Sequence, residues 1–441
     1  MNKEKWLEKA AQEGFDQTEV YEATSGSREI TWFDGQMDKM ELSETASASI
    51  RAVYQGNLAQ AGLEKLDDEV MDEVFAGLKE QAAAITSDDK PQFVGPQKTD
   101  LVKKENSWVR PATPQVLQLL KQIEADILAF DSRIVQASSL GWSEVRGTRA
   151  ITNSLGLETA DEDYVQYVAA ACVAEDDGVV QDSFLIKVVP DIASFDRAAF
   201  VKELCEEAIF RTGAASVPSR QYPVILHRDA MSSLLAAFAG LFSGEMISRQ
   251  ISPLKDKLGQ QIFSKEITIV DDPRNLDALS VANFDDEGTP TRRKYVVKDG
   301  VFETILHNTT TAGRMGMEST GNGFRGGYAS PVSVSPMNMY IEPGTLSLAQ
   351  LEEKMGDGLV ITDLEGLHAG IDFVSTNFSL QARGYKVEQG KKTAAVTLIT
   401  AADSFLHLMN EVAAVGSDLD WKYLSVVSPS ILFTGISISG E

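Results

Sequence analysis

The residues that could hold a metal are few and widely spaced in this chain. Its four histidines do not pair at metal-binding spacing, and none lies in an HExxH motif; they are His227, His307, His368 and His407. A zinc peptidase needs about three protein ligands, a water molecule and a general base. A lone histidine is most often a structural residue. His368, which lies between two glycines in EGLHAG, is kept as a candidate contact residue.

Covalent catalysis also lacks a recognisable pattern. Ser252 and Ser319 do not lie in a GxSxG elbow, and no Cys-His pattern is present. The two cysteines, Cys172 and Cys205, are too few to form a disulfide framework in a chain of 441 residues. We therefore expect free thiols and predict no catalytic residue.

Two acidic clusters could suggest a cation site. They are Asp271-Asp272, followed by a proline, and Asp285-Asp286-Glu287. Neither has the spacing of a calcium-binding EF-hand loop. The first is typical of a strand end followed by a turn.

A glycine-rich stretch, GNGFRGG, contains the GxGxxG spacing at Gly321, Gly323 and Gly326. A dinucleotide site needs a strand before this motif and a helix after it, whereas YASPVSVSP follows here. The glycines instead favour a tight turn and a close approach of the backbone. Asn322, Gly323 and Arg325 are then candidate contacts for a peptide or a partner. We expect Arg325 to pack few neighbours; the alternative is a structural loop in which Arg325 forms an internal ion pair.

The elements that must position these residues indicate an α+β protein. Residues 1–218 read as a mixed α/β domain with antiparallel sheets and helices. ITWF, Asp34-Gly35 and QMDKMEL predict a hairpin, because Asp-Gly suits the positive φ angles of a type I′ turn. Further strands over 133–189 and a helix over 196–211 suggest a duplicated unit. Residues 219–441 contain many short strands, which predict a β-rich, sheet-like or barrel-like domain.

The helix that begins near Ala230 carries an apolar stripe at helical spacing, which predicts that it packs into the core. The stripe consists of Met231, Leu234, Leu235, Phe238, Leu241 and Phe242. Positions i and i+5 of a regular helix lie about 140° apart. A metal bound at such a pair would therefore require a distorted turn, for which Gly240 is the suitable residue.

Residues 234–249, LLAAFAGLFSGEMISR, resemble the segment in which the TldD/PmbA family of peptidases carries its HExxxH motif. On that pattern Ala236 and Leu241 occupy the histidine positions, and Ala237 occupies the glutamate position. None of these can bind a metal or transfer a proton. Residues 255–273, 321–344 and 365–391 extend the resemblance in family order. Asn377 is a small departure, because PmbA-like chains often have a glycine there.

The resemblance implies a metal-free PmbA (TldE) type of subunit. Metal-bearing members are expected to supply a further ligand from a C-terminal cysteine, and no cysteine follows Cys205 here. The implied role is a non-catalytic subunit without a cofactor, which completes a peptidase chamber with a metal-bearing TldD-type partner and handles small or unfolded peptides. The alternatives are an independent metallopeptidase with relocated ligands and a stand-alone peptide-binding or scaffold protein. Alone, the chain could form a homodimer.

Composition restricts the partners further. The 65 acidic and 40 basic residues give a net charge of −25, which repels nucleic-acid phosphates and anionic membranes. The family's older label, modulator of DNA gyrase, is therefore not interpreted as DNA binding. The N-terminal residues have no uninterrupted apolar run, and no stretch of about 18 apolar residues is present. We expect a cytoplasmic location.

Overall fold

The computed structural model describes residues 1–65, 67–86, 89, 91–104, 108–421 and 424–441. Its N-terminal half is built on one six-stranded antiparallel sheet in the order β3-β2-β1-β4-β5-β6. The strands are β1 (Gln17–Phe33), β2 (Gln36–Tyr54), β3 (Asn57–Leu63), β4 (Ile134–Asn153), β5 (Glu158–Asp176) and β6 (Val179–Val188). The predicted type I′ turn is confirmed, since φ is 50° at Asp34 and 76° at Gly35.

The sheet is made of two units with the same order of elements. Each unit has a helix, a three-stranded meander, a short 3₁₀ turn and a second helix, and the units join where β1 pairs antiparallel with β4. The helices are α1 (Lys3–Gln12) and α2 (Met71–Ala84) in the first unit, and α3 (Thr113–Leu128) and α4 (Arg197–Thr212) in the second. This architecture agrees with the duplication that the sequence suggests.

All four helices cover the same face of the sheet. Val20 of β1 lies in the core with α1 and α2, and Ile30, an even number of residues further along the strand, lies in the core with α3 and α4. Because side chains alternate between faces along a strand, even-numbered residues of β1 face the helices. Odd-numbered residues face the C-terminal half of the chain.

The C-terminal half contains a closed five-stranded barrel. The barrel order is β16-β15-β14-β7-β19, and β19 also pairs with β16, while β17 joins β19 outside the ring. These strands are β7 (Arg220–Leu226), β14 (Gly358–Glu365), β15 (Asn377–Glu388), β16 (Lys391–Ser404), β17 (Val412–Val415) and β19 (Ile431–Ser439). The predicted α+β class with a barrel-like second half is confirmed. The division between residues 218 and 219 stays a prediction.

Smaller sheets and short helices complete this half. A five-stranded sheet has the order β10-β9-β8-β13-β18, and β11 forms a hairpin with β12. These strands are β8 (Ile269–Asp271), β9 (Lys294–Lys298), β10 (Val301–Phe302), β11 (Gly323–Arg325), β12 (Val332–Val334), β13 (Met339–Ile341) and β18 (Val426–Val427). The helices are α5 (Arg228–Phe238), α6 (Gly244–Ser248), α7 (Thr309–Met315), α8 (Leu348–Met355) and α9 (Phe405–Leu408). No helix within the described ranges is long and apolar enough to cross a membrane.

Candidate functional site

The apolar stripe of α5 packs into the core of the C-terminal half. The six residues of the predicted stripe, four in α5 and two in the turn that follows it, are all fully buried, as predicted: Met231, Leu234, Leu235, Phe238, Leu241 and Phe242. Phe238 stacks on Phe405 with ring centroids 4.7 Å apart, and Phe242 meets Phe263 edge-on. Each such aromatic residue buries 150–250 Å² or so of surface, and the helix is held mainly by this packing.

The regular α-helix ends within the segment that aligns with the family motif. α5 ends at Phe238, and Ala239–Phe242 continues as a 3₁₀ turn that includes Gly240. Ala236 is exposed, Ala237 is half-buried and Leu241 is fully buried. The regular helix is therefore interrupted near Gly240 without any metal ligand, since the three positions carry no donor atom and lie at three different depths.

A catalytic metal of the kind used in this type of motif does not fit these residues. Methyl and isobutyl groups cannot coordinate an ion, and Leu241 fills core space that a ligand would need. Across the described ranges, no group of three or more His, Cys, Asp or Glu side chains is arranged to hold a metal. That this chain lacks a metal and a cofactor stays a prediction.

His368 lies on an exposed loop that borders this turn. The loop, residues 366–376, follows β14, and its Phe373 ring lies 4.0 Å from the Cβ position of Gly240 and 5.9 Å, between centroids, from Phe238. Gly370 N–H donates to Gly366 O at 2.8 Å and closes the turn that carries His368. The His368 side chain is exposed. Its role as a peptide or partner contact stays a prediction.

The glycine-rich stretch does not lead into a helix. Gly323–Arg325 forms β11, which pairs with β12. A Cβ on Gly321 would lie 2.9 Å from Pro290 O, and a Cβ on Gly323 would lie 2.8 Å from a carboxylate oxygen of Glu287. The glycines therefore allow a close backbone approach, and what they approach is the loop 285–291 of the same chain.

Asn322 is part of a buried polar cluster. Its amide donates to Asp271 Oδ2 at 2.8 Å and to Ser335 O at 3.0 Å, while Lys294 Nζ donates to its Oδ1 at 3.0 Å. Lys294 also pairs with Asp271 at 2.8 Å. All the polar groups of the Asn322 side chain thus bond inside the molecule. Its proposed contact with a peptide stays untested.

Arg325 is not the sparsely packed side chain that we expected. Its side chain is 1% exposed, and the guanidinium donates to Glu19 Oε1 at 3.1 Å and to Ser49 Oγ at 3.0 Å. Its Cζ lies 4.3 Å from the ring centroid of Tyr21. The internal ion pair, stated above as the alternative, is therefore the observed arrangement. The reason is that the odd-numbered face of β1 lies against this loop. A peptide or partner contact by Arg325 stays a prediction.

Arg325 belongs to a larger set of buried charges between the two halves. Arg51 pairs with Glu19 at 2.9 Å and with Glu287 at 3.4 Å, and Arg149 pairs with Asp286 at 2.9 Å. Burial and the neighbouring Arg51 lower the pKa of Arg325. Sequence reasoning missed the N-terminal members, because nothing local in β1, β2 or β4 marks their partners.

Asp285 and His307 lie near these buried charges, and the pKa of each is shifted from its usual value. Burial, followed by the charge of Glu287, raises the pKa of Asp285 to about 8, while three backbone N–H groups oppose that shift. Burial alone lowers the pKa of His307 to about 4. His307 Nδ1 lies 3.0 Å from Thr311 Oγ1, and its buried Nε2 has no hydrogen-bond partner in the described structure.

Comparisons with known proteins identify the family. Residues 219–440 match the model of the PmbA/TldA metallopeptidase C-terminal domain, and residues 108–215 match that of the PmbA/TldA metallopeptidase central domain. The first match alone covers half of the chain. The chain therefore belongs to the PmbA/TldD metallopeptidase family.

Relatives and solved structures agree with that assignment. The chain is 26% identical to the metalloprotease PmbA homolog of Haemophilus influenzae over 74% of this chain and 69% of that protein. A candidate modulator of a DNA gyrase from Thermotoga maritima is 27% identical with a TM-score of 0.88, and the alignment covers 99% of each chain. TldE from Thermococcus kodakarensis has the same fold, with a TM-score of 0.90 at 21% identity over 99% of this chain and 100% of that one.

Proposed function

We propose that this chain is a metal-free, TldE/PmbA-type subunit of a cytoplasmic TldD/TldE-type metallopeptidase complex. The observation that carries the proposal is the chemistry at the motif positions, where Ala236, Ala237 and Leu241 replace two ligands and a base. Without those two ligands and that base, this segment can neither hold a zinc ion nor activate a water molecule for peptide hydrolysis. The metal is then supplied by a partner subunit that carries HExxxH.

In this proposal the chain contributes surface rather than chemistry. It completes an enclosed chamber around the partner's metal and helps to hold small or unfolded peptides. In this proposal the exposed loop 366–376 beside the 3₁₀ turn offers one surface to the partner or the peptide. Its apolar residues Leu367, Ile371 and Phe373 anchor the loop on the core, and His368 lies at its tip.

The test is reconstitution with a family member that carries HExxxH. We expect chelator-sensitive cleavage of an unstructured peptide only when both chains are present. The matched control is the same complex with glutamine in place of the glutamate of the partner's motif, which should be inactive. This chain alone should bind no stoichiometric zinc and cleave nothing.

Two other outcomes would each replace the proposal. One tightly held zinc per chain with chelator-sensitive turnover in the isolated protein would establish an independent peptidase with relocated ligands. Peptide binding by this chain combined with no effect on the partner's activity would establish a stand-alone binding or scaffold protein.

A further inference from the structure

Among the described residues, part of one strand in each repeated unit has no paired strand on its outer side. β3 pairs with β2 only over residues 48–54, and β6 pairs with β5 only over residues 167–176. Residues 36–47 of β2 and 158–165 of β5 are therefore edges of the sheet as far as the described residues show. An unpaired edge presents free N–H and C=O groups to another extended chain.

The backbone of β5 shows which residues offer those groups. The turn Asp177-Gly178 joins Asp176 to Val179, so these two form the hydrogen-bonded pair next to the turn. Because backbone groups alternate between the two edges of a strand, the N–H and C=O groups of the even-numbered residues of β5 point away from β4. Val189 N–H indeed donates to Gln166 O at 3.0 Å. The same alternation directs the groups of Ala160, Glu162 and Tyr164 outward.

The free edge of β5 borders a large channel. The cavity measures 1310 Å³ and includes every residue from Glu158 to Tyr164 in its wall. Seven residues of an extended strand span about 20 Å. A volume above the range of about 300–1,000 Å³ that suits small ligands favours a longer, extended occupant.

A second part of the channel wall is held in place by the C-terminal half. This wall is the segment 97–104. Asn283 Oδ1 accepts from Val102 N–H at 2.8 Å, and its amide donates to Val102 O at 2.9 Å. Arg274 donates to Thr99 Oγ1, and Lys104 donates to Ala278 O. The channel is thus lined by the edge strand and by a second segment whose backbone is fixed by hydrogen bonds.

The acidic side chains of the edge strand favour a bound peptide that carries a positive charge. Asp161 is paired with Arg149 at 3.0 Å. The side chain of Asp163, two residues further along the same face, makes no hydrogen bond or ion pair with a described residue, and the charge of Arg149 acts on it from beyond ion-pair distance against those of Asp161 and Glu162. A cation on the neighbouring strand is the cross-strand partner that such a carboxylate favours.

We propose that the free edge of β5 at Glu158–Tyr164 binds an extended peptide as an added strand, with a lysine or arginine side chain beside Asp163. The peptide backbone exchanges hydrogen bonds with Ala160, Glu162 and Tyr164, and the segment 97–104 forms part of the channel wall around it. This site deepens the proposed function, on which its role in handling substrate rests. It lies in the N-terminal half, apart from the 3₁₀ turn that carries the altered motif.

Binding is measured by fluorescence anisotropy with this chain alone. The probe is a fluorescein-labelled heptapeptide, Thr-Val-Thr-Lys-Thr-Val-Thr, and the matched peptide has glutamate in place of lysine. We expect the lysine peptide to bind more tightly. Ala160→Pro removes one outward N–H and leaves the β4 ladder intact, so it should weaken binding about tenfold or more. Ala46→Pro, at the edge of β2 outside the channel, should leave binding unchanged.

Charge reversal tests the specificity. Asp163→Lys should invert the preference, so that the glutamate peptide binds more tightly than the lysine peptide. A merely structural role of Asp163 would not produce this inversion. Unchanged preference in Asp163→Lys, with an unchanged melting temperature, overturns the proposal.

Two further results would overturn the location. One is unchanged affinity in a folded Ala160→Pro variant, and the other is equal weakening by Ala46→Pro. If Ala160→Pro does not fold, the wild-type chain is tested with a peptide N-methylated at alternate residues, and equal binding of that peptide rejects strand addition. Because no partner subunit is present, these outcomes are independent of the reconstitution assay, and failure of the complex leaves a measured peptide site intact.

Discussion

Arg325 shows how far the environment of one side chain can depart from its local sequence. The residue lies among glycines, yet its guanidinium contacts Glu19, which is 306 positions away in the chain. A buried arginine is costly unless it is paired, and here the ion pair is with a carboxylate that Arg325 shares with Arg51, while the charge of Asp286 also acts on it. The pair therefore joins the loop to the sheet of the other half.

Arg325→Ala should strongly destabilise the protein. Removing the guanidinium leaves Glu19 with only Arg51 and empties a buried space, so we expect a loss of about 3 kcal/mol in the free energy of unfolding. The control is Arg146→Ala, whose exposed pair with Glu44 is worth at most about 1 kcal/mol. Urea denaturation of the two variants measures both. Equal stability of the two variants would show that the Arg325 pair does not hold the halves together.

His307 should make the fold sensitive to acid. Its pKa is about 4 in the folded protein and about 6.5 when the chain is unfolded, so between these values the unfolded state binds the extra proton. Stability should therefore decrease as the pH falls from about 6.5 to 4, by up to about 3 kcal/mol. The wild-type protein should lose more stability over this range than His307→Gln. Parallel pH profiles of the melting temperature for the two proteins would contradict this assignment.

At the scale of the element, the end of α5 is built for packing rather than for a metal site. A regular helix would place positions 236 and 241 about 140° apart, and the 3₁₀ turn at Ala239–Phe242, with about 120° per residue, moves them further from a common face. The same turn carries Leu241, which is fully buried in the core, whereas Ala236 is exposed. Both the backbone and the side chains of this segment therefore suit a core rather than an i, i+5 ligand pair.

Restoring the motif residues should not restore a metal site. Ala236→His alone should cost little, because the position is exposed, whereas Leu241→His should cost about 3 kcal/mol or more from a lost core residue and a buried polar group. The triple variant with Ala237→Glu should show no chelator-sensitive cleavage, since a third ligand and the groups that orient the ligands are missing. Denaturation curves and a peptide-cleavage assay check the two parts. Cleavage by the triple variant at wild-type stability would refute this account.

At the scale of the whole molecule, one contact between the two halves is made by a hairpin. The tip of the β11–β12 hairpin lies on β3, where Gln60 donates to Ala329 O at 3.2 Å and to Ser330 O at 3.1 Å. A Cβ on Gly62 would lie 2.8 Å from the Cβ of Ala329. Glycine at this position lets the hairpin approach the face of β3 closely.

Gly62→Val should therefore loosen the contact between the halves. We expect a lower melting temperature and faster proteolytic cleavage within residues 326–331, because the hairpin can no longer lie against β3. The matched control is Gly77→Ala in α2, where no atom lies within 4 Å and stability should rise by about 0.5–1 kcal/mol. If Gly62→Val leaves the cleavage rate unchanged, the hairpin contact does not depend on that glycine.

The sequence by itself determined the features that depend on neighbouring residues. The type I′ turn at Asp34-Gly35, the apolar stripe of α5 and the altered motif at Ala236, Ala237 and Leu241 all follow from residue types a few positions apart. Turn conformation and side-chain periodicity are local properties, which is why they could be predicted without coordinates. The α+β class follows from the order of such elements.

Only the tertiary structure decided which polar side chains are buried and which strand edges stay free. The sequence around Arg325 and Asn322 is typical of an exposed loop. Contacts with Glu19 and Asp271 nevertheless hold both side chains inside the molecule. The edge of β5 is open because β6 is shorter, and its channel exists because Asn283 holds the segment 97–104 in place. The physical reason is that ion pairs and strand pairing join residues far apart in the chain, whose meeting no local pattern encodes.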